Sequence, residues 1–260
     1  MLKKAQQGDF MSMICHVDPI YTPEDFHKRI AKELQNFLND PEYNKLAIFL
    51  PPQHGKSDLT SRKFPPFAFG INPNLRIALA SYSSDLANKF NRFIQKIIDS
   101  EEYKQIFPKT TINSKNVVTI QSWLRNSEVF EIVDKRGDFK SVGVAGGLSG
   151  NPVDIMIIDD PVKDDIEAQS PTYRERAWNW YLSVVLARLH NKSKQLLIMT
   201  RWHEDDLGGR ILNPKINPNA HEWKVIKIPA IKEDNSDHED KRAIGEALWP
   251  NRHNLKKLED

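Results

Sequence analysis

The segment Pro51-Pro52-Gln53-His54-Gly55-Lys56-Ser57 combines the residue types that a phosphate cradle requires. Gly55 lets backbone amides approach an anion, the Lys56 ammonium reaches terminal phosphoryl oxygens, and the Ser57 hydroxyl suits a Mg²⁺ ion. Strict phosphate-loop spacing calls for a glycine five places before Gly55, where this chain has Leu50, so the match is confined to the lysine end. The run Ile155-Met156-Ile157-Ile158 then delivers Asp159 and Asp160 to the end of an apolar stretch. Asp159 is placed to hold Mg²⁺ together with Ser57, and Asp160 to polarise the water that attacks a phosphoryl group. Aspartate is one methylene shorter than the glutamate common in that second role. A third polar terminus follows Leu196-Leu197-Ile198-Met199, where Thr200 and Arg201 are candidates to sense a terminal phosphate. The ligands implied are a polyphosphate, met by the segment Pro52, Gln53, His54, Gly55, Lys56 and Ser57, and Mg²⁺.

Positioning these groups needs buried strands that end where the polar residues begin. Leu46–Leu50, Ile77–Ala80, Ile155–Ile158, Leu196–Met199 and Val225–Ile228 are short apolar runs that predict such strands. From Thr110 to Asp134 the pattern is also strand-like, at Val117–Ile120 and Val129–Val133. Between the strands lie amphipathic helices. Thr22-Pro23-Glu24-Asp25 predicts a helix start with Thr22 as N-cap, followed by Phe26, Ile30, Leu34, Phe37 and Leu38 on one face. Ser83 or Ser84 caps a helix carrying Leu86, Phe90, Phe93, Ile94, Ile97 and Ile98. Pro65-Pro66 should end the helix that follows the phosphate loop. A helix from about Pro171 to Leu189, with Thr172 and Glu175 as a capping box, presents Trp178, Tyr181, Leu182, Val185, Leu186 and Leu189. Alternating strands and helices predict an α/β fold, a mainly parallel sheet covered on both faces. Residues 1–20 show no clear period and read as a loosely attached arm; 21–232 form the domain, and 233–260 begin as an almost wholly polar surface stretch.

Composition narrows the function classes. The 260 residues hold 37 Lys+Arg against 35 Asp+Glu, a formal charge of +2, so any nucleic-acid contact must be made by a local patch. The single cysteine excludes an intramolecular disulfide and a cysteine-rich zinc site. No apolar run is long enough for a membrane span, and the start lacks the apolar core of a signal peptide, so a cytosolic chain is expected. Gly143 to Gly150 is glycine-rich but precedes a strand, the reverse of a dinucleotide fingerprint, and predicts a turn beside the site. Asp159, Asp160, Asp164 and Asp165 raise a metal-dependent nuclease as a rival, but no partner carboxylate cluster is evident elsewhere.

Together, residues 51–57, Ser81-Tyr82-Ser83, Ile157 to Pro161, Met199 to Leu207 and Gly245-Glu246-Ala247-Leu248-Trp249-Pro250 resemble the large terminase subunit of tailed double-stranded DNA phages. The resemblance runs from about Phe26 to Trp249 and implies a P-loop ATPase domain, with 233–260 leading toward a nuclease domain. It implies ATP hydrolysis with Mg²⁺ that drives double-stranded DNA into a procapsid, in a homo-oligomeric ring on a portal protein, with a small terminase subunit as partner, in the host cytoplasm. By the same resemblance Thr200 couples hydrolysis to movement, His27 lies near the adenine, and Ser81 and Tyr82 fall between nucleotide and DNA grip. Many members carry arginine in the phosphate loop where this chain has Gln53. A trans-acting arginine is implied before the second carboxylate strand; Arg136 is the only arginine between Asn126 and Arg174, with Lys140 close by. Rival readings are a helicase-like remodeller and a weakly hydrolysing assembly module.

Overall fold

The apolar runs become strands because each alternates side chains between two covered faces. In the computed structural model, which describes residues 1–113, 123–148, 150 and 152–259, the strands are β1 (Lys45–Phe49), β2 (Arg76–Ser81), β3 (Val129–Glu131), β4 (Asp138–Gly143), β5 (Val153–Asp159), β6 (Leu189–Met199) and β7 (Lys224–Lys227). They form one sheet in the order β3-β4-β2-β5-β6-β1-β7. Every pairing is parallel except β3 with β4, which closes one edge as an antiparallel pair. The helices are α1 (Leu2–Gln6), α2 (Phe10–Val17), α3 (Asp25–Asn39), α4 (Phe64–Ile71), α5 (Ser84–Asp99), α6 (Glu101–Ile106), α7 (Asp165–Gln169), α8 (Pro171–Trp180), α9 (Leu207–Leu212) and α10 (Leu255–Glu259). No helix among the described residues is long and apolar enough to cross a membrane.

Strand residues divide between two cores by parity. Leu46, Ile48, Ile77, Leu79, Ile155, Ile157, Leu196 and Ile198 pack with residues of α1 to α6. Ala47, Phe49, Ala78, Ala80, Met156, Ile158, Leu197 and Met199 pack with Trp180, Tyr181, Val185, Leu207 and Trp223. A sheet buried on both sides holds its strand ends still, which is what a site built on those ends requires.

Several local expectations are corrected. Residues 1–20 are not a loose arm: Ala5, Phe10, Met13 and Ile14 are fully buried, and Phe10 stacks on Phe67 with ring centroids 4.7 Å apart. The segment shows no clear period because its two short helices contribute only one and three buried residues. The cap of α3 is Glu24, not Thr22, and its backbone N–H donates to His27 Nδ1 at 3.1 Å. Pro65 and Pro66 start α4 instead of ending a helix; the turn before it, Asp58–Lys63, is π-helical. In the first turn a proline lacks only an N–H that would have no helical partner. The long helix predicted to Leu189 ends as α8 at Trp180, continues as a π-helical turn over Tyr181–Val185, and yields to β6 at Leu189. Ser170, not Thr172, is its N-cap. The wider turn rotates the apolar face, so Trp180, Tyr181 and Val185 are buried while Leu182 and Leu186 are exposed. Ser83 caps α5, accepting from the Leu86 N–H. β4 was not anticipated, since Lys140 and Ser141 dilute its apolar pattern; Val117–Ile120 lies outside the described residues.

Candidate nucleotide site at the carboxyl end of the sheet

Four adjacent strands, β2, β5, β6 and β1, run parallel, so the segments leaving their carboxyl ends meet along one rim. The predicted phosphate loop leaves β1, Asp159 ends β5 with Asp160 just beyond it, Thr200 follows β6, and Tyr82 follows β2. Ligands in open α/β sheets bind outside this end of the strands.

The loop has the backbone geometry of an anion cradle. Gly55 has φ of 76° and Gln53 φ of 60°, both in the left-handed region. A Cβ at Gly55 would lie 2.9 Å from His27 Nε2, so this glycine is required by a close approach as well as by its φ. The π-helical turn starts immediately after Ser57, and the Leu59 N–H donates back to the Gly55 carbonyl at 3.1 Å.

Lys56 is the hub. Its side chain is buried, and Nζ donates to Thr200 Oγ1 at 2.8 Å while lying 3.1 Å from Asp160 Oδ2. The other Asp160 oxygen accepts from the Thr200 N–H at 2.8 Å. Asp160 itself has φ of 42°, and the main chain around it is pinned on both sides: its N–H donates to the Ile198 carbonyl at 2.8 Å and its carbonyl accepts from the Tyr82 N–H at 3.1 Å. The short aspartate therefore reaches the lysine because its backbone is turned toward the loop.

Asp159 is 1% exposed and accepts from Ser57 Oγ at 2.9 Å and from Ser61 Oγ. Burial, reinforced by the charge of Asp160, raises its affinity for a proton above that of an ordinary carboxylate; the two hydroxyls and Lys56 oppose the shift. It forms no ion pair among the described residues.

A cavity of about 510 Å³ opens over the loop, bordered by His27, Gln53, Lys56, Arg62, Trp249 and Arg252 among others. His27 is buried, its ring 4.8 Å from that of Trp249, and burial pushes its pKa down to about 4. Because Nδ1 accepts from Glu24, neutral His27 carries its proton on Nε2, which faces Gly55 and makes no hydrogen bond of good geometry among the described residues. His54 Nδ1 donates to the Pro52 carbonyl at 2.8 Å, and burial lowers its pKa as well.

The structure thus brings together Pro52 to Ser57, His27, Asp159, Asp160 and Thr200. Three predicted cations do not join them. Arg201 Nε donates to Asp206 Oδ2 at 2.7 Å, supporting the carboxylate that caps α9. Arg136 is exposed in the turn before β4, at the amino end of the strands, where its N–H donates to Asn74 Oδ1; Lys140 lies within β4. Sequence reasoning missed Ser61, although its spacing of four from Ser57 is one helical turn. It also missed the return of the chain's end: His253 Nε2 approaches the Gln53 carbonyl at 3.4 Å and its ring lies 4.7 Å from that of His54. No local signal marks that contact. No group of three or more His, Cys, Asp or Glu that could hold a metal occurs among the described residues.

Residues 47–260 match the family described as terminase large subunit, T4likevirus-type, N-terminal. No curated protein sequence matches the chain. Among solved structures, the bacteriophage HK97 large terminase aligns with a TM-score of 0.54 at 15% identity, covering 96% of this chain and 51% of that one. A Thermus phage large terminase ATPase domain aligns with a TM-score of 0.47 at 15% identity, covering 89% of this chain and 85% of that one. This chain therefore spans about half the length of the HK97 protein. The likeness to HK97 is one of fold, a mainly parallel α/β sheet. With four-fifths of its residues inside the family match, the chain belongs to the large terminase subunit family, as an N-terminal domain of the T4likevirus type.

Proposed function

We propose that this domain hydrolyses ATP with Mg²⁺ and uses the energy to drive double-stranded DNA into a procapsid, as one subunit of a ring on a portal. The observation that carries the reading is the position of Lys56, between an acid from β5 and a hydroxyl from β6. A terminal phosphate competes with Asp160 for the lysine. Lys56 then turns to the phosphoryl oxygens, and Asp160 Oδ2 is released to accept a proton from the attacking water. The Thr200 N–H keeps the other oxygen of Asp160 in place, so the acid stays aligned as it loses its ion pair. Thr200 contacts both groups and is the natural relay of phosphate loss to the segment beyond β6.

The residues also fit Mg²⁺. Asp159 is a buried carboxylate neutralised by no cation among the described residues, next to the Ser57 hydroxyl, and such a pair suits a hard divalent ion. Ser57 and Asp159 would hold it. When bound, Mg²⁺ neutralises charge on the phosphoryl oxygens.

Arg136 does not reach the site of its own chain, so a role for it requires a neighbouring subunit. Steady-state ATP hydrolysis per subunit, measured against protein concentration with Lys56→Ala as blank, tests the proposal. A specific rate that climbs with concentration and collapses in Arg136→Ala supports a shared site. A flat, Lys56-dependent rate keeps the ATPase and discards the trans arginine. Activity no higher than the blank, at every concentration and with duplex DNA present, overturns the motor reading.

A further inference from the structure

Helix α5 carries a cationic face that the nucleotide site does not use. Between Leu86 and Ile98 its exposed positions are Lys89, Arg92, Phe93 and Lys96; every other residue in that span is buried or half-buried. Their spacing of three and four puts all of them on one stripe, about 10 Å long at 1.5 Å per residue. Lys89 and Arg92 form no ion pair or hydrogen bond among the described residues. Lys96 makes only a contact with the Phe93 ring, 5.7 Å from its centroid. Asp85, exposed in the first turn, is the one acid on this stripe; beyond it each exposed charge of α5 is positive, a local departure in a chain whose charges nearly balance.

The stripe is continuous with the nucleotide pocket. Arg62, which borders that pocket, lies over the outer face of Phe93 at 4.2 Å and near Phe90 at 5.6 Å. Its ion pair with Asp58 is long, at 3.7 Å. At its amino end α5 is capped by Ser83, the residue after Tyr82, whose N–H is held by the Asp160 carbonyl. A change at either Asp160 or the phosphate loop therefore has a short covalent or stacked route to this face.

We propose that Lys89, Arg92 and Lys96 on α5 grip the phosphate backbone of double-stranded DNA, the surface through which the motor proposed above holds its substrate. Charge complementarity selects a polyanion, and rigid cations on one helix face suit a regular row of phosphates. Phe93 is part of the stripe, but Arg62 already lies over its ring at 4.2 Å, so a base stacking there would compete with that cation, which favours backbone over base contact. The contact is then independent of sequence and strongly dependent on salt. This inference rests on the DNA-translocating reading, and the test separates the two.

The whole chain is titrated against a fluorescent 30-base-pair duplex and a single strand of equal length, across a range of salt. The proteins compared are the wild type, Lys89→Ala/Arg92→Ala/Lys96→Ala, and the charge-matched control Lys3→Ala/Lys4→Ala/Lys257→Ala, with thermal melting and basal ATPase run in parallel. Expected is a loss of about tenfold or more in duplex affinity for the α5 variant, with the salt slope shallower by about one unit per phosphate contact removed. The control keeps its affinity, and melting and basal hydrolysis are unchanged in both. Equal losses in the two variants mean bulk charge and overturn the proposal. An unchanged α5 variant overturns it while leaving the motor reading intact. Tighter binding of the single strand, lost in Phe93→Ala, replaces it by base stacking. A concentration-dependent ATPase that is lost without loss of duplex affinity assigns the face to a neighbouring subunit instead. A wild type that hydrolyses ATP yet binds no duplex at low salt sinks the DNA reading and this surface with it.

Discussion

The two ends of the same parallel strands carry similar residues and behave differently. At the amino end, the Arg76 N–H donates to Asp154 Oδ2 at 2.7 Å, Arg76 Nε lies 3.9 Å from Asp138, and His190 lies 3.0 Å from Asp154. These side chains are partly exposed, and each pair is screened by water and salt. At the carboxyl end, Lys56 and Asp159 are buried, and one ammonium serves acceptors from two other strands. Charge of both signs occurs at both ends. What makes one end a candidate catalyst is burial, which strengthens each interaction, and convergence, which leaves a single cation contested between groups that a phosphate can displace.

The largest contrast should appear in catalysis. Lys56→Ala and Asp160→Asn are each expected to lower kcat for ATP hydrolysis by about 10²- to 10⁴-fold, read by phosphate release at saturating ATP. Arg76→Ala, at the opposite end, should leave kcat within about twofold. Comparable losses at both ends would erase the distinction. Thr200→Val keeps the side-chain volume but removes the hydroxyl that accepts from Lys56 and leaves the backbone N–H on Asp160 in place. A drop in kcat of about tenfold is expected, matching one hydrogen bond to a charged group. If kcat is unaltered, Thr200 does not relay the state of the lysine.

The ends should also respond to pH with opposite sign. The folded-state pKa of His27 is pushed by burial from 6.5 to about 4. Between those values the unfolded chain binds a proton that the folded chain refuses, so this group withdraws stability as pH falls from 6.5 to 4. Asp138 is the reverse: burial raises its pKa from 3.8 to about 6, against the opposing charge of Arg76. The folded chain then binds the proton first, and stability falls as pH rises from 3.8 to 6. Thermal melting from pH 4 to 7 should lose the first slope in His27→Gln and the second in Asp138→Asn. An unchanged profile in either variant removes that group from the account. The smallest effect is expected from His190→Ala, whose partly exposed pair with Asp154 should contribute about 1 kcal/mol or less to stability in a denaturant titration. A larger loss would mean that the amino end is more tightly coupled than its exposure suggests.

Much of this was legible in the residues themselves. Each of the five apolar runs became a strand within a residue or two, except that β6 extends back to Leu189 through a polar stretch that no apolar pattern announces. That the loop after β1, the acid pair and Thr200 would meet was visible because strand ends and polar residues coincide in sequence, and a parallel sheet brings like ends together. β4 stayed hidden because its place in the sheet rests on backbone pairing with β2 and not on an apolar pattern of its own. The return of Trp249, Arg252 and His253 over the phosphate loop was hidden because contact across some 200 residues leaves no local trace.

By itself, then, the sequence determined the position of the buried strands, the Gly55-Lys56-Ser57 turn after β1 and the carboxylates at the end of β5, since these depend on hydrophobic periodicity and on residue type. Only the tertiary structure decided which cations take part. Arg201 is drawn to the cap of α9, Arg136 is carried to the far end of the sheet, Arg62 is laid across Phe93, and Lys56 alone is left between Asp160 and Thr200. Long flexible cations take whatever acceptor or ring the fold brings within reach, so their partners are set by where strands and helices end in space and not by their neighbours along the chain.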